Sequence, residues 1–266
     1  MTNAEYHALP YLNASALKEL ARSPAHYWAK FLDPNREKIE PTTAMQIGTA
    51  THTMVLESEK FDAEFMVAPE GLNRAHKVVK ELAQECRDNG KNLILNDEFV
   101  MVQNIAQAVK AHEKADSILS HNLGIAEDTI LFCIDNIEAK ARLDWSIPPC
   151  EVFPNGLVAD LKTTANCSID EFKKSIWGYR YDIQARWYQM AFMAKYETQD
   201  TPIFLFIACE KENPFAVNVF LAGDSMLAKG KETIEELLKT YKKTDWSEKP
   251  VYSSQVQIID LPGWVK

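Results

Sequence analysis

From Ile137 to Asp144 the chain alternates without a break. Ile137, Ala139, Ala141 and Leu143 fall on one side, and Glu138, Lys140, Arg142 and Asp144 on the other. A period of two over this length requires an extended strand with one polar face. Such a strand needs partners, and they are close by. Asp135-Asn136 reads as a tight turn back to a strand at 128–134. Leu157-Val158-Ala159, short and wholly apolar, reads as a buried central strand within 156–163. Further strands are expected at 201–209 and 215–221, with helices at 181–196 and 226–241. Ser168, with Glu171 three residues on, has the pattern of a helix capping box.

The N-terminal half reads as helical. Asn13 caps a helix over 13–31, in which Leu17, Leu20, Tyr27, Trp28 and Phe31 recur at helical spacing. Helices are also expected at 44–57, 74–89 and 97–119, with a short strand at 61–67. The expected fold is therefore α/β, a mixed sheet flanked by helices with a helical N-terminal portion. A single domain over 1–266 is expected: a mostly helical portion at 1–120 carrying His52, a sheet core at 121–245 and an irregular tail at 246–266. A chain of 266 residues, 46% hydrophobic and 25% charged, suffices for that core.

Several classes are disfavoured. The start lacks a basic stretch followed by an apolar one, and the longest apolar run, Ile203 to Cys209, is too short to span a bilayer. A cytoplasmic protein with no membrane partner is expected. The five cysteines include no C-x-x-C, and Cys133 and Cys209 lie in apolar runs, so both are expected in the core, without a disulfide framework or zinc site. The formal net charge of −9 argues mildly against nucleic acid. It averages over the whole surface, however, and a basic channel can coexist with an acidic exterior.

The chemistry concentrates in Val158-Ala159-Asp160-Leu161-Lys162-Thr163-Thr164. Asp160 and Lys162 are two apart on a strand and leave the same face. A carboxylate and an ammonium at the end of a buried run are costly unless paired or used. Alone, D-x-K reads as a salt bridge or as a strand end reaching solvent. Asp144 ends the preceding strand on its polar face, and antiparallel pairing can bring it beside Asp160. Two close carboxylates repel, and a divalent cation removes the repulsion. Magnesium fits such an oxygen-rich set, with Lys162 beside its water. His52 follows Gly48 and Ala50, small residues that permit close helix packing; taken alone it reads as a structural histidine. Gln184 and Tyr188, four apart on a helix, share a face and can hold a water or a phosphate, or be surface and core residues.

Taken in order, these elements resemble the PD-(D/E)xK nuclease superfamily, in its RecB-like exonuclease branch and nearest to nuclease domains of the exonuclease VIII (RecE) type. The resemblance rests on Asn13-Ala14-Ser15-Ala16-Leu17-Lys18, Ser23-Pro24-Ala25-His26-Tyr27, Ile47 to His52, Arg142-Leu143-Asp144, Ala159 to Thr164, and the Gln184 and Tyr188 pair. It implies a restriction-endonuclease-like core. It also implies metal ligation by His52, Asp144, Asp160 and the Leu161 carbonyl, with Lys162 catalytic and Gln184 and Tyr188 supporting the site and the DNA strand. Glu127 sits where the family often has an acidic residue. The implied activity is Mg2+-dependent (Mn2+ as the alternative) 5′-to-3′ degradation of linear double-stranded DNA, leaving 3′ single strands for recombination by annealing. A ring-like homo-oligomer, a tetramer, and a RecT-like single-strand annealing partner are implied too. In such a ring Arg74, Lys77, Lys80, Lys173, Lys174, Arg180 and Arg186 are candidates for lining the channel, or are a solvated surface. Ser23 stands where some relatives carry a cluster cysteine, so no iron–sulfur cluster is expected. The segment 148–154 between Asp144 and Asp160 is longer than the family's usual hairpin loop. Alternatives are a single-strand exonuclease or endonuclease, a non-catalytic DNA-binding module on the same fold, and a hydrolase of small phosphate esters, which no glycine-rich loop supports.

Overall fold

The computed structural model describes residues 1, 3–36, 41–248, 251–252 and 255–259. In chain order the elements are α1 (Asn3–Ala8), α2 (Ala14–Leu20), α3 (Pro24–Tyr27), a π-helical turn (Trp28–Leu32), α4 (Thr43–Leu56), a 3-10 turn (Ser58–Lys60), α5 (Phe61–Glu64), β1 (Phe65–Val67), α6 (Lys77–Asp88), β2 (Asn92–Ile94), α7 (Asn96–Ala111), α8 (Glu113–Leu119), β3 (Ile125–Ile134), β4 (Ile137–Ile147), β5 (Leu157–Thr164), α9 (Ile169–Gly178), α10 (Tyr181–Lys195), β6 (Ile203–Glu210), β7 (Val217–Leu221) and α11 (Asp224–Lys243). The main sheet has the order β3-β4-β5-β6-β7. Only β5 and β6 run parallel, joined by the α9–α10 crossover that such a pair requires; the other neighbours are antiparallel. β1 and β2 form a separate parallel pair.

Helices cover both faces. On one, α2, α10 and α11 pack Leu17, Ile183, Trp187, Phe192 and Ile234 against Ala141, Leu143, Val158, Phe204 and Phe206. On the other, α7 and α8 pack Ile105, Val109 and Ile118 against Trp145, Ile147, Leu157, Ala159, Leu161 and Ile207. Trp187 is fully buried, and its indole N–H donates to the Lys140 carbonyl at 3.0 Å. Its truncation would cost about 3–5 kcal/mol. Gly230 lets α11 approach α10 closely, since a Cβ there would lie 2.3 Å from the Asp182 carbonyl oxygen.

The 3–4 hairpin forms as expected, with Asp135 and Asn136 both in the left-handed region (φ 52 and 64) and Ile134 opposite Ile137. Other expectations are corrected. The helix expected at 13–31 breaks, because the Ser23 hydroxyl caps a new start at Pro24. The helix expected at 97–119 breaks at His112, whose ring accepts the Ala115 N–H at 3.2 Å. Most of the strand expected at 61–67 is α5, with β1 after it. Ser168 makes no side-chain cap: its own N–H goes to Asn166 Oδ1 at 2.7 Å, and Glu171 is held by Lys174. Cys133 is exposed rather than in the core, because β3 is an edge strand. Gly48 faces open space and is no packing contact. The polar face of β4 is partly covered, Lys140 being buried with its ammonium donating to the Tyr6 and Leu9 carbonyls, each at 2.6 Å. The tail expected from Trp246 falls partly outside the described residues; the rest of it holds no helix or strand. Among the described residues no helix is long and apolar enough to cross a membrane.

Candidate active site

Strands β4 and β5 pair only over Trp145–Ala159, Ser146–Val158 and Ile147–Leu157 and then part. The edge of β4 that β5 leaves is taken at Glu138 and Lys140 by the backbone of Leu12. Between these two pairings a wedge opens, and Asp144 stands at its inner end. Its Oδ2 accepts the Leu161 N–H at 2.8 Å, so the carboxylate takes the place of the strand that departed. The same level marks a change of face. Leu143 belongs to the α10-side core and Trp145 to the other. Opposite, on β3, Glu127 adopts φ 48 and turns toward the wedge. Its neighbour Asp128 is buried and tied to Lys195 (2.8 and 2.7 Å) and the Ser146 hydroxyl (2.7 Å).

α4 closes one wall. Its His52 places Nε2 3.0 Å from the Leu161 carbonyl oxygen. When the imidazole is neutral, that contact puts the proton on Nε2 and leaves the Nδ1 lone pair toward Asp144 Oδ2 (3.7 Å) and Glu127 Oε1 (3.8 Å). One ligand atom from each of His52, Glu127 and Asp144 lies within 4.8 Å of the others. This donor set of one imidazole and two carboxylates suits a divalent cation. Burial disfavours charge on His52, but Asp144 and Glu127 outweigh it and raise its pKa to about 9.

Asp160, fully buried, stands beside this triad. Its Oδ1 accepts from Gln184 Nε2 at 2.9 Å, and the Lys162 ammonium contacts Oδ2. Burial, with Asp144 adding to it, pushes its pKa up to about 6 despite Lys162. Burial lowers the pKa of Lys162, but Asp160 and Asp144 more than compensate, so its charge is favoured. The Leu161 carbonyl has one lone pair engaged by His52 and keeps a second. Gln184 Nε2 also reaches the Tyr188 hydroxyl at 3.2 Å, and Gln184 Oε1 accepts from Lys18 Nζ at 2.8 Å. Lys18, on α2, was not anticipated as a site residue, although it lies in the N-terminal motif. Burial first, and Lys162 next, lower its pKa to about 8.

A cleft of about 1070 Å³ leads to His52 and Glu127, with Thr49, Glu57, Thr129 and Arg142 also on its walls. None of the cations considered as DNA contacts lines this cleft. Arg74 grips Glu98 with two bonds of 2.8 Å, Arg180 grips Asp182, and Arg186 reaches Gln189 at 3.3 Å from beside Gly230. Lys77 is exposed beside Glu81. Lys173 and Lys174 sit beside Asp170 and Glu171.

Comparison with known proteins follows the same line. No curated protein matches the chain. In fold it is similar to the crystal structure of a protein named as a candidate exonuclease from Eubacterium rectale, with a TM-score of 0.64 and 16% identity over 100% of this chain and 99% of that one. A phage-related exonuclease from Haemophilus somnus 129PT matches with a TM-score of 0.35 and 13% identity, over 88% of this chain and 94% of that one, which is too remote to carry an argument. A family profile described as a PDDEXK-like domain of unknown function (DUF3799) matches residues 13–262. The chain therefore belongs to this PDDEXK-like family.

Proposed function

We propose that the chain is a metal-dependent deoxyribonuclease. The observation that carries the reading is the wedge itself, where His52, Glu127 and Asp144 gather within 4.8 Å of one another and Asp160, in contact with the Lys162 ammonium, stands beside them. His52 Nδ1, Glu127, Asp144 and Asp160, with the free lone pair of the Leu161 carbonyl, would hold a Mg2+ ion, Mn2+ being the alternative. Such an ion supplies a Lewis acid at the phosphate and a more acidic water. Lys162, kept charged by Asp160, orients the attacking water and offsets charge on the attacked phosphate. Gln184 fixes the Asp160 carboxylate, and Tyr188 braces Gln184.

In its finer form the reading is an exonuclease that takes linear double-stranded DNA from the 5′ end and leaves a 3′ single strand for annealing-based recombination of the phage type. The name of the Eubacterium rectale neighbour supports an exonuclease. A ring-like homo-oligomer and a RecT-like annealing partner belong to the same proposal, as does a cytoplasmic location. The test is digestion of linear duplex labelled at one 5′ end, in Mg2+ or EDTA, with Asp160→Ala alongside. Early release of labelled nucleotides, abolished by EDTA and by the substitution, is the expected result. Shortening from the 3′ end or internal cuts would keep the nuclease and refute the polarity; binding without cleavage would refute the nuclease.

A further inference from the structure

At the end of α9 two large rings stand in solvent, Trp177 at 68% and Tyr179 at 65% exposure. Exposure alone says little, since single apolar side chains are common on surfaces. These two are the outer end of a continuous path. Tyr179 stacks on Tyr181, with centroids 5.6 Å apart and planes at 27°. The Lys162 ammonium lies 5.0 Å and the Lys18 ammonium 5.2 Å from the Tyr181 centroid. The residue between the tyrosines makes the stack possible. Arg180 is left-handed, φ 51, a conformation that a side chain disfavours. It is held there by two bonds to the Asp182 carboxylate, of 3.0 and 2.9 Å. Its guanidinium also lies 5.6 Å from the Trp177 ring centroid. Rings and cations thus neighbour one another from Trp177 and Tyr179 at the surface to Lys162 at the wedge.

Exposed rings with cations beside them match an unpaired nucleic-acid strand, whose bases stack and whose phosphates need positive charge. A duplex hides its bases and cannot use the rings. Resting on the nuclease reading, we propose that Trp177, Tyr179 and Tyr181 receive an unpaired DNA strand end and lead it to Asp160 and Lys162. A duplex end then has to fray before it reaches the wedge.

The test is the anisotropy of a fluorescent dT oligonucleotide with the full chain in EDTA. Trp177→Ala and Tyr179→Ala are each expected to weaken binding about tenfold. Trp177→Phe is expected to bind like the parent and Trp177→Leu like the alanine variant, because stacking needs a ring. Both positions are exposed, and thermal melting of each variant verifies the fold. Equal affinity of the double alanine variant and the parent, or equal behaviour of Phe and Leu, would overturn the path. Cleavage of duplex by the parent in Mg2+ is followed in parallel. Cleavage with ring-independent binding sinks the path alone. Ring-dependent binding without cleavage sinks the nuclease reading and supports a strand-binding path without chemistry.

Discussion

The metal proposal makes a quantitative demand on pH. In the metal-free protein the His52 pKa stands at about 9 and that of Asp160 at about 6. For His52 the folded value lies above the ordinary imidazole value of 6.5, so its protonation contributes stability fully below that value, lost as pH rises through 9. Asp160 is also raised, from 3.8, so its contribution is present at low pH and lost as pH rises through 6. Both groups therefore make the empty wedge less stable toward alkaline pH. A cation needs both deprotonated. Between pH 6 and 9 it displaces one proton, from His52, and its apparent affinity rises about tenfold per pH unit. At saturating metal that is about 1.4 kcal/mol per unit, or roughly 3–6 °C in Tm for a chain of this size. Scanning calorimetry with Mn2+ and with EDTA at pH 6, 7 and 8 measures the increment directly. It should grow at each step, and His52→Asn should flatten the growth while leaving a smaller stabilisation. A metal-induced shift that stays constant or shrinks with pH in the parent chain would refute the assignment of His52 Nδ1 as a ligand.

Four further outcomes are expected. Gly230→Ala should lose about 1–3 kcal/mol in denaturant unfolding, because its Cβ meets the Asp182 carbonyl and α11 must move away; an unchanged midpoint would contradict that close approach. Lys18→Met should lower kcat about tenfold with little change in KM, and most of that loss should vanish in a Gln184→Ala background, since the hydrogen bonds from Lys18 run to Asp160 through Gln184; fully additive losses would separate the two. Glu127→Gln should weaken Mn2+ binding by calorimetric titration and spare the Tm, whereas Asp128→Asn should do the reverse, because Asp128 is committed to Lys195 and Ser146. Lys162→Met should abolish cleavage and leave Asp160 uncompensated, so that its pKa climbs further. The Tm deficit of that variant then grows with pH above about 6 and is small near pH 5; a deficit independent of pH would mean that Lys162 does not balance Asp160.

The parts of the fold legible in the sequence are those where one physical rule acts alone. The strand that begins at Ile137 is legible because alternation up to Asp144 admits no other period, and it runs on to Ile147. Helix breaks are harder, since apolar spacing continues across them. The break before Pro24 carried a readable signal, a serine followed by proline at the first helical position. The break at His112 did not, because a histidine ring is an uncommon cap. β2 is three residues long and exists only by pairing with β1, a contact that no local pattern encodes. Cys133 was misplaced because apolar neighbours do not distinguish an edge strand from a central one.

The site divides along the same line. Asp144, Asp160 and Lys162 are legible because their chemistry is fixed by strand position, whichever helices pack around them. Lys18 is not, and Glu127 is named by the resemblance alone. Two adjacent acids, Glu127 and Asp128, are equivalent in sequence, and a single left-handed φ assigns one to the wedge and the other to Lys195. Lys18 lies on a helix whose direction is set by Leu12 pairing with β4 at Glu138 and Lys140. That pairing is possible because β5 leaves the edge of β4 free there. The splay of β4 from β5 therefore does two things at once: it frees the Leu161 N–H for Asp144, and it opens the seat through which α2 delivers Lys18 to Gln184.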